Sequence, residues 1–254
     1  MDFKILIIFL GGLIIGSFLN VCIFRIIEEE SIVFPASHCK ICNTKLKAKD
    51  LIPIFSFLFL KGRCRYCKEK ISAQYPLIEL FTAILFVIMY LKFGVSLEFF
   101  KFVTFTAILL VIGIIDYKTQ YIYFEVIVTG LIFGIIFLVI AFFLEGNLEL
   151  KNILLSTIIP SSFLALIILM TNGMGWGDVE LVFIIGVFLE LKLNLLSLFI
   201  SVILAGLYAI YLLLFKKKDR RQSIAFAPYI AVSAFITILF GNQILNWYFN
   251  YLIY

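Results

Sequence analysis

Charge is scarce in this chain: of 254 residues only 15% are Asp, Glu, Lys or Arg, while 63% are hydrophobic. Soluble domains are usually about a quarter charged and about half apolar, so this balance excludes an ordinary water-soluble fold and makes lipid the main solvent. Proline is rare, at five residues, and tracts rich in Ser or Gly are missing, which leaves little room for disordered linkers. There is no internal repeat and no low-complexity tail. The basic residues do not line up as a stripe with exposed aromatics, so no nucleic-acid partner is expected. A glycine-rich Rossmann fingerprint is also lacking, so any nucleotide-like ligand binds in some other way.

What the chain has instead is long apolar runs, with 29 Phe and a mean hydropathy of +1.13. The first run, from Ile5 to Ile27, is longer than the core of a secretory signal and lacks a cleavage site, so it reads as a retained transmembrane helix. About 20 apolar residues cross the hydrocarbon core. On that measure the sequence predicts an all-α polytopic membrane protein with about eight spans, at 4–27, 74–92, 97–116, 121–144, 152–171, 178–193, 195–215 and 225–249. The sixth is the shortest, with an apolar core from Val179 to Leu189 followed by Glu190 and Lys192, and a half-helix or re-entrant segment is the alternative there.

Orientation follows from where Lys and Arg collect. The first loop carries nine, at Lys40, Lys45, Lys47, Lys49, Lys61, Arg63, Arg65, Lys68 and Lys70. The loop before the last span reads Lys216-Lys-Lys-Asp-Arg-Arg221, whereas the opposite loops are short and nearly neutral. Eight spans place both basic loops on one face, which is then cytoplasmic. The same count puts Asp116, at the end of the third span, and Asp178, at the start of the sixth, on that face together.

The first loop holds Cys39-Lys-Ile-Cys42 and, 21 residues later, Cys64-Arg-Tyr-Cys67. Two C-x-x-C knuckles at this separation supply four thiolates to one tetrahedral ion, and in a reducing compartment zinc is expected in preference to two disulfides. Such a closed four-sulfur site is structural and folds a loop too small for its own core. His38 adjoins the set but a complete set of Cys makes it a bystander, and Cys22, inside the first span, reads as packing. Free or redox-active thiols are the alternative.

Ionisable residues in a membrane are functional candidates. Gly173-Met-Gly-Trp-Gly-Asp178 places three glycines before an acid, leaving space for a substrate backbone and permitting positive φ at a helix entrance. Asp116, beside Tyr117 and Lys118, has the alternative of a solvated helix cap. Two carboxylates brought within a few ångströms cannot both ionise readily, so such a pair shares a proton and can act as base and acid on a peptide bond. That is aspartic peptidase chemistry.

These motifs resemble the bacterial type IV prepilin peptidases, the leader peptidase–methyltransferases, almost end to end. The similarity is carried by Gly16-Ser17-Phe18-Leu19-Asn20-Val21, by Cys39-x-x-Cys42 and Asp50-Leu-Ile-Pro53, and by Gly62-Arg63-Cys64-Arg65-x-Cys67. It continues through Ile71-Ser72-x-x-Tyr75-Pro76-x-x-Glu79, Gly173-Met-Gly175-x-Gly177-Asp178 and Phe226-Ala227-Pro228. The resemblance implies an enzyme of the bacterial cytoplasmic (inner) membrane that cuts the basic leader from type IV pilin-like and pseudopilin precursors. It then methylates the new amino terminus with S-adenosylmethionine. Asp116 and Asp178 would be the catalytic pair, supported by Gly175 and Gly177; Cys39, Cys42, Cys64 and Cys67 would bind zinc. Gly62 and Arg63 match a glycine–basic pair associated with methyl transfer. The implied organisation is a first helix (1–27), a methyltransferase-associated zinc loop (28–73) and a transmembrane peptidase domain (74–254).

Two stretches depart from the family pattern. Ile122-Tyr123-Phe124 stands where many members have Ile-Pro-Asp, and Val179-Glu180-Leu181 where many have Val-Lys-Leu. A peptidase that has lost methyl transfer is one alternative function. Others are a transporter whose acids bind a proton or cation, and a zinc-stabilised scaffold; the last leaves the glycine run unexplained.

Overall fold

The computed structural model describes residues 3–146, 149–171, 173–215 and 224–250. Among the described residues the architecture is all helical, with nine α-helices, a single 3-10 turn and two isolated β-bridges. Seven of the helices are long and apolar enough to cross a membrane. They are α1 (Phe3–Ile27), α3 (Gln74–Phe93), α4 (Leu97–Thr119), α5 (Phe124–Glu145), α6 (Leu150–Thr171), α8 (Leu191–Phe215) and α9 (Ala227–Tyr248). Helices satisfy their own backbone groups, which is why uninterrupted apolar sequence takes this form in lipid. The chain is a multi-pass membrane protein.

The expected sixth span is the exception. It is α7 (Trp176–Phe188), of 13 residues, which reaches only about 20 Å against a hydrocarbon core of about 30 Å. Leu189 leaves the helix in extended backbone, with φ −117° and ψ 151°. The break is supplied with partners: Ser156 Oγ donates to the Leu189 carbonyl at 2.8 Å, and the Leu191 amide donates to Asn152 Oδ1 at 3.3 Å. A break in the backbone is tolerated at membrane depth when protein groups replace the missing helical bonds. The Lys216–Arg221 cluster, used above to orient the chain, lies outside the described residues.

The chain divides into two compact units, Met1–Phe99 and Phe100–Tyr254. In the first, α1 packs on α3 through glycine: a β-carbon on Gly12 would fall 2.5 Å from the Ala83 Cα, and one on Gly16 2.7 Å from the Glu79 Cα. Small residues let two backbones approach this closely. Asn20, fully buried, ties the pair by donating to the Gly16 and Tyr75 carbonyls at 3.2 and 3.0 Å. The loop between them contains the short helix α2 (Phe55–Phe59) and the four cysteines.

In the second unit α7 is surrounded by helix, contacting α5, α6, α8 and α9. Leu181, Val182, Ile184, Ile185 and Phe188 are almost fully buried, and Phe188 stacks on Phe105 with ring centroids 4.2 Å apart. Asn194 of α8 donates to the Ser156 and Val182 carbonyls at 2.7 and 3.3 Å, linking three helices. Gly186 faces Ser156 and Thr157 of α6. From that crossing, 14 residues of α6 run to its end at Thr171, but only eight of α7 run back to Asp178. Asp178 is thus nearer along its helix to that crossing than the end of α6 is.

Candidate active site and candidate metal centre

Asp116 sits one turn from the end of α4 and is 5% exposed. Its Oδ2 accepts the Ala227 amide at 3.0 Å. Ala227 is the first residue of α9, with Phe226 as N-cap and Pro228 behind it. The first amides of a helix have no partner within it and carry the positive end of its dipole, so they suit a carboxylate. Phe226-Ala227-Pro228, quoted above only as a matching motif, thus supplies a partner to Asp116. Ala227 is fully buried.

Asp178 occupies the first turn of α7 and is 7% exposed. The backbone of its N-cap, Gly175, is within hydrogen-bonding reach of the carboxylate, and the charge of Asp116 acts on it directly. The two acids lie near one another, each at the end of a different helix. Glu180, two residues on, is exposed.

The glycines serve space, not an unusual backbone. Gly175 has φ −82° and ψ 150°, and neither Gly173 nor Gly177 has positive φ, contrary to the conformational half of the expectation. A β-carbon on Gly177 would fall 2.8 Å from that of Ile122, whereas one on Gly175 would meet nothing within 4 Å. Gly177 thus lets the connection after α4 press against α7, and Gly175 leaves open space beside Asp178. Ile122 itself keeps the Ile of the Ile-Pro-Asp pattern, and the departure begins at Tyr123.

In the first unit the sulfur atoms of Cys39, Cys42, Cys64 and Cys67 all lie within 4.8 Å of one another. Cys39 and Cys67 are 3.8 Å apart, the edge of a tetrahedron whose centre is about 2.3 Å from each sulfur, the zinc–thiolate distance. The two knuckles repeat each other. The Cys39 amide donates to Thr44 and the Asn43 amide to Cys39; likewise Cys64 donates to Glu69 and Lys68 to Cys64. Asn43 and Lys68, each following the second Cys of its pair, have φ of 52° and 63°. Thr44, through its hydroxyl and amide, pulls the Cys42 thiol down to about 6. The Glu69 amide also favours a Cys67 thiolate, but desolvation and the neighbouring sulfurs outweigh it and push that thiol up to about 12. A dication at the centre removes this conflict. His38 stands apart, its Nδ1 near the Ala36 carbonyl, and Cys22 is buried in α1.

Two further motifs acquire a structure. Asp50 Oδ1 accepts Arg65 Nε at 2.5 Å, and its Oδ2 accepts the Lys47 amide and the Tyr66 hydroxyl, both at 3.1 Å. Pro53-Ile54-Phe55 forms a γ-turn closed by the Phe55 amide on the Pro53 carbonyl at 2.6 Å, with Ile54 at φ 60°. This is a strained conformation for a β-branched residue. It turns the Ile54 amide onto Glu79 Oε2 at 2.7 Å. Gly62 has φ 67°, and a β-carbon there would fall 3.0 Å from the Phe57 ring; Arg63 is exposed. The contributions of Ala227, Ile122, Ile54 and Glu79 were not read from sequence. Only the matching motifs marked three of their segments, and those assign no partners.

The fold and site define the class, a polytopic membrane protein with a buried acid pair and a four-cysteine loop. Residues 10–93 match the Bacterial Peptidase A24 N-terminal domain, and residues 103–210 the Type IV leader peptidase family. A prepilin leader peptidase/N-methyltransferase of Bacillus subtilis (strain 168) is 37% identical over 244 residues, covering 95% of this chain and 96% of that protein. Proteins of the same name from Pseudomonas putida and Neisseria gonorrhoeae are 28% and 29% identical, covering 92% and 94% of this chain and 89% and 93% of their own lengths. Comparison with solved structures found no match to it. The chain belongs to the type IV leader peptidase family, as its motifs implied.

Proposed function

We propose that the chain is a bifunctional membrane enzyme that cleaves the leader from type IV prepilin-like precursors and then methylates the new amino terminus. The observation that carries the first activity is the buried pair, Asp116 on the first amide of α9 and Asp178 at the first turn of α7. Two interacting carboxylates hold one proton between them. The charged member takes a proton from water as its oxygen attacks the scissile carbonyl carbon, and the protonated member gives its proton to the carbonyl oxygen. Collapse of that adduct breaks the C–N bond, with the proton passing to the leaving amine. The space beside Gly175 suits an extended substrate backbone.

The relatives' name supports the second activity. S-adenosylmethionine supplies an electrophilic methyl group on a sulfonium. The four thiols would hold a structural Zn2+, with residues 28–73 as the methyltransferase-associated loop, 1–27 as its first anchoring helix, and 74–254 as the peptidase. The nine basic residues of the first loop favour a cytoplasmic loop in the inner membrane, where a basic leader also lies.

The test is cleavage of a purified pilin precursor by the full-length protein. Asp116→Asn and Asp178→Asn should each lose about 10²–10⁴-fold in rate, the usual contribution of a general acid or base. Parent-like cleavage by either variant would overturn the assignment.

A further inference from the structure

The first unit encloses a cavity of about 390 Å³ among α1, α3, α2 and the cysteine loop, within the size range of small-molecule sites. Ser17, Phe24, Phe57, Leu60, Tyr75 and Glu79 are on its wall. Phe24 and Tyr75 stack with centroids 4.8 Å apart, and Phe57 is the ring held over Gly62.

Glu79 is the unusual member. It is 6% exposed, and its carboxylate accepts only neutral donors, the Ile54 amide at 2.7 Å and the Ser17 hydroxyl. Among the described residues it forms no ion pair. The four basic residues of the wall do not pair with it: Arg25 donates to the Ser31, Ile32 and Pro35 carbonyls, Arg65 to Asp50 and Lys40 to Glu28, and Lys70 forms no ion pair with Glu79. A buried carboxylate without a counter-charge is costly. Here it is held by the amide of a strained turn, and such strain clusters at active sites and ligand clamps.

We propose that this cavity is the site of the sulfonium methyl donor, with Glu79 as its counter-charge and the Phe24, Phe57 and Tyr75 rings as its apolar walls. The inference rests on the methyltransferase reading above. It also accounts for turnover: as the amine nitrogen forms its bond to the methyl carbon, the S–C bond breaks and the sulfur becomes a neutral thioether. The nitrogen carries the positive charge until its proton passes to water. The product therefore loses its attraction to Glu79, and the carboxylate favours donor over product.

Titration of the full-length protein with S-adenosylmethionine and S-adenosylhomocysteine tests this, with calorimetric binding as readout and leader cleavage as a check on folding. The parent should bind the cation roughly tenfold more tightly, the equivalent of one charge-assisted contact. Glu79→Gln should remove that preference while still binding the thioether. An unchanged preference in Glu79→Gln overturns the proposal. A parent that cleaves but neither binds the donor nor transfers methyl overturns the methyltransferase reading as well. Ultraviolet crosslinking of labelled donor to the parent is independent of any variant: adducts on peptides containing Phe24, Phe57 or Tyr75 support the site, and adducts confined elsewhere overturn it.

Discussion

A β-carbon built on Gly177 falls 2.8 Å from that of Ile122, on the connection between α4 and α5. Neither atom is at the flexible end of a side chain, so backbone must move, and this contact is where the segment after Asp116 meets the helix that carries Asp178. Gly177→Ala should therefore lower both the melting temperature and the cleavage rate, the latter by about a hundredfold for a displacement near 1 Å. Gly175→Ala has open space and should keep the melting temperature while losing cleavage, if the proposed substrate backbone runs through that space. Equal thermal losses in the two variants would sink this distinction. Asp50 makes a separate case. Desolvation works against its charge, but Arg65, the Lys47 amide and Tyr66 together hold its carboxyl below the ordinary value. A carboxylate depressed in the folded state stabilises that state above its unfolded value and loses this contribution as the pH falls toward the folded one. Hydrogen-exchange protection in the cysteine loop, measured relative to the intrinsic rate at each pH, should thus fall on acidification below about pH 4, and Asp50→Asn should be less protected at neutral pH with that acid step removed.

Among the elements, α7 is the one whose existence depends most on its neighbours. Its backbone stops after 13 residues; Ser156 and Asn152 supply partners at the break, and Asn194 ties the middle of α7 to α6. Gly186 is where it touches α6, and a β-carbon there would lie 2.3 Å from the Ser156 carbonyl oxygen. Gly186→Ala should destabilise the protein by about 1–3 kcal/mol or more, in the manner of an overpacked core, measured as a shift in thermal unfolding in detergent. The same helix shows what was legible beforehand. Hydropathy alone placed the seven long helices, because each is one continuous apolar run. It overextended the run at 178–193, because the helix breaks at Leu189, where Leu189 and Leu191 bond to residues 33 or more positions away. The acids and the C-x-x-C spacing were legible for the opposite reason, since their chemistry is in the residue type. Glu79 was not, because its isolation depends on where Arg25 and Arg65 direct their charges.

On the scale of the whole molecule, the acid pair and the four sulfurs belong to separate compact units, and this separation has a measurable consequence. The cysteine loop has no core of its own; its fixed points are two repeated knuckles, the Asp50–Arg65 pair and the γ-turn at Ile54. Binding of a structural ion is folding free energy for such a loop. Removing the metal should release the knuckles, and with them the hold of Ile54 on Glu79 and of Phe57 on Gly62. None of these contacts involves Asp116, Asp178 or Ala227. A strong chelator, or Cys64→Ser, should therefore abolish methyl transfer and donor binding while leader cleavage continues. The measurement is parallel: metal content per chain, donor binding, labelled methyl incorporation and precursor cleavage on one preparation. Restoring zinc to the chelated protein should recover methylation. If cleavage falls in proportion to metal content, the two activities are not divided between the units, and the cysteine loop also serves the acid pair.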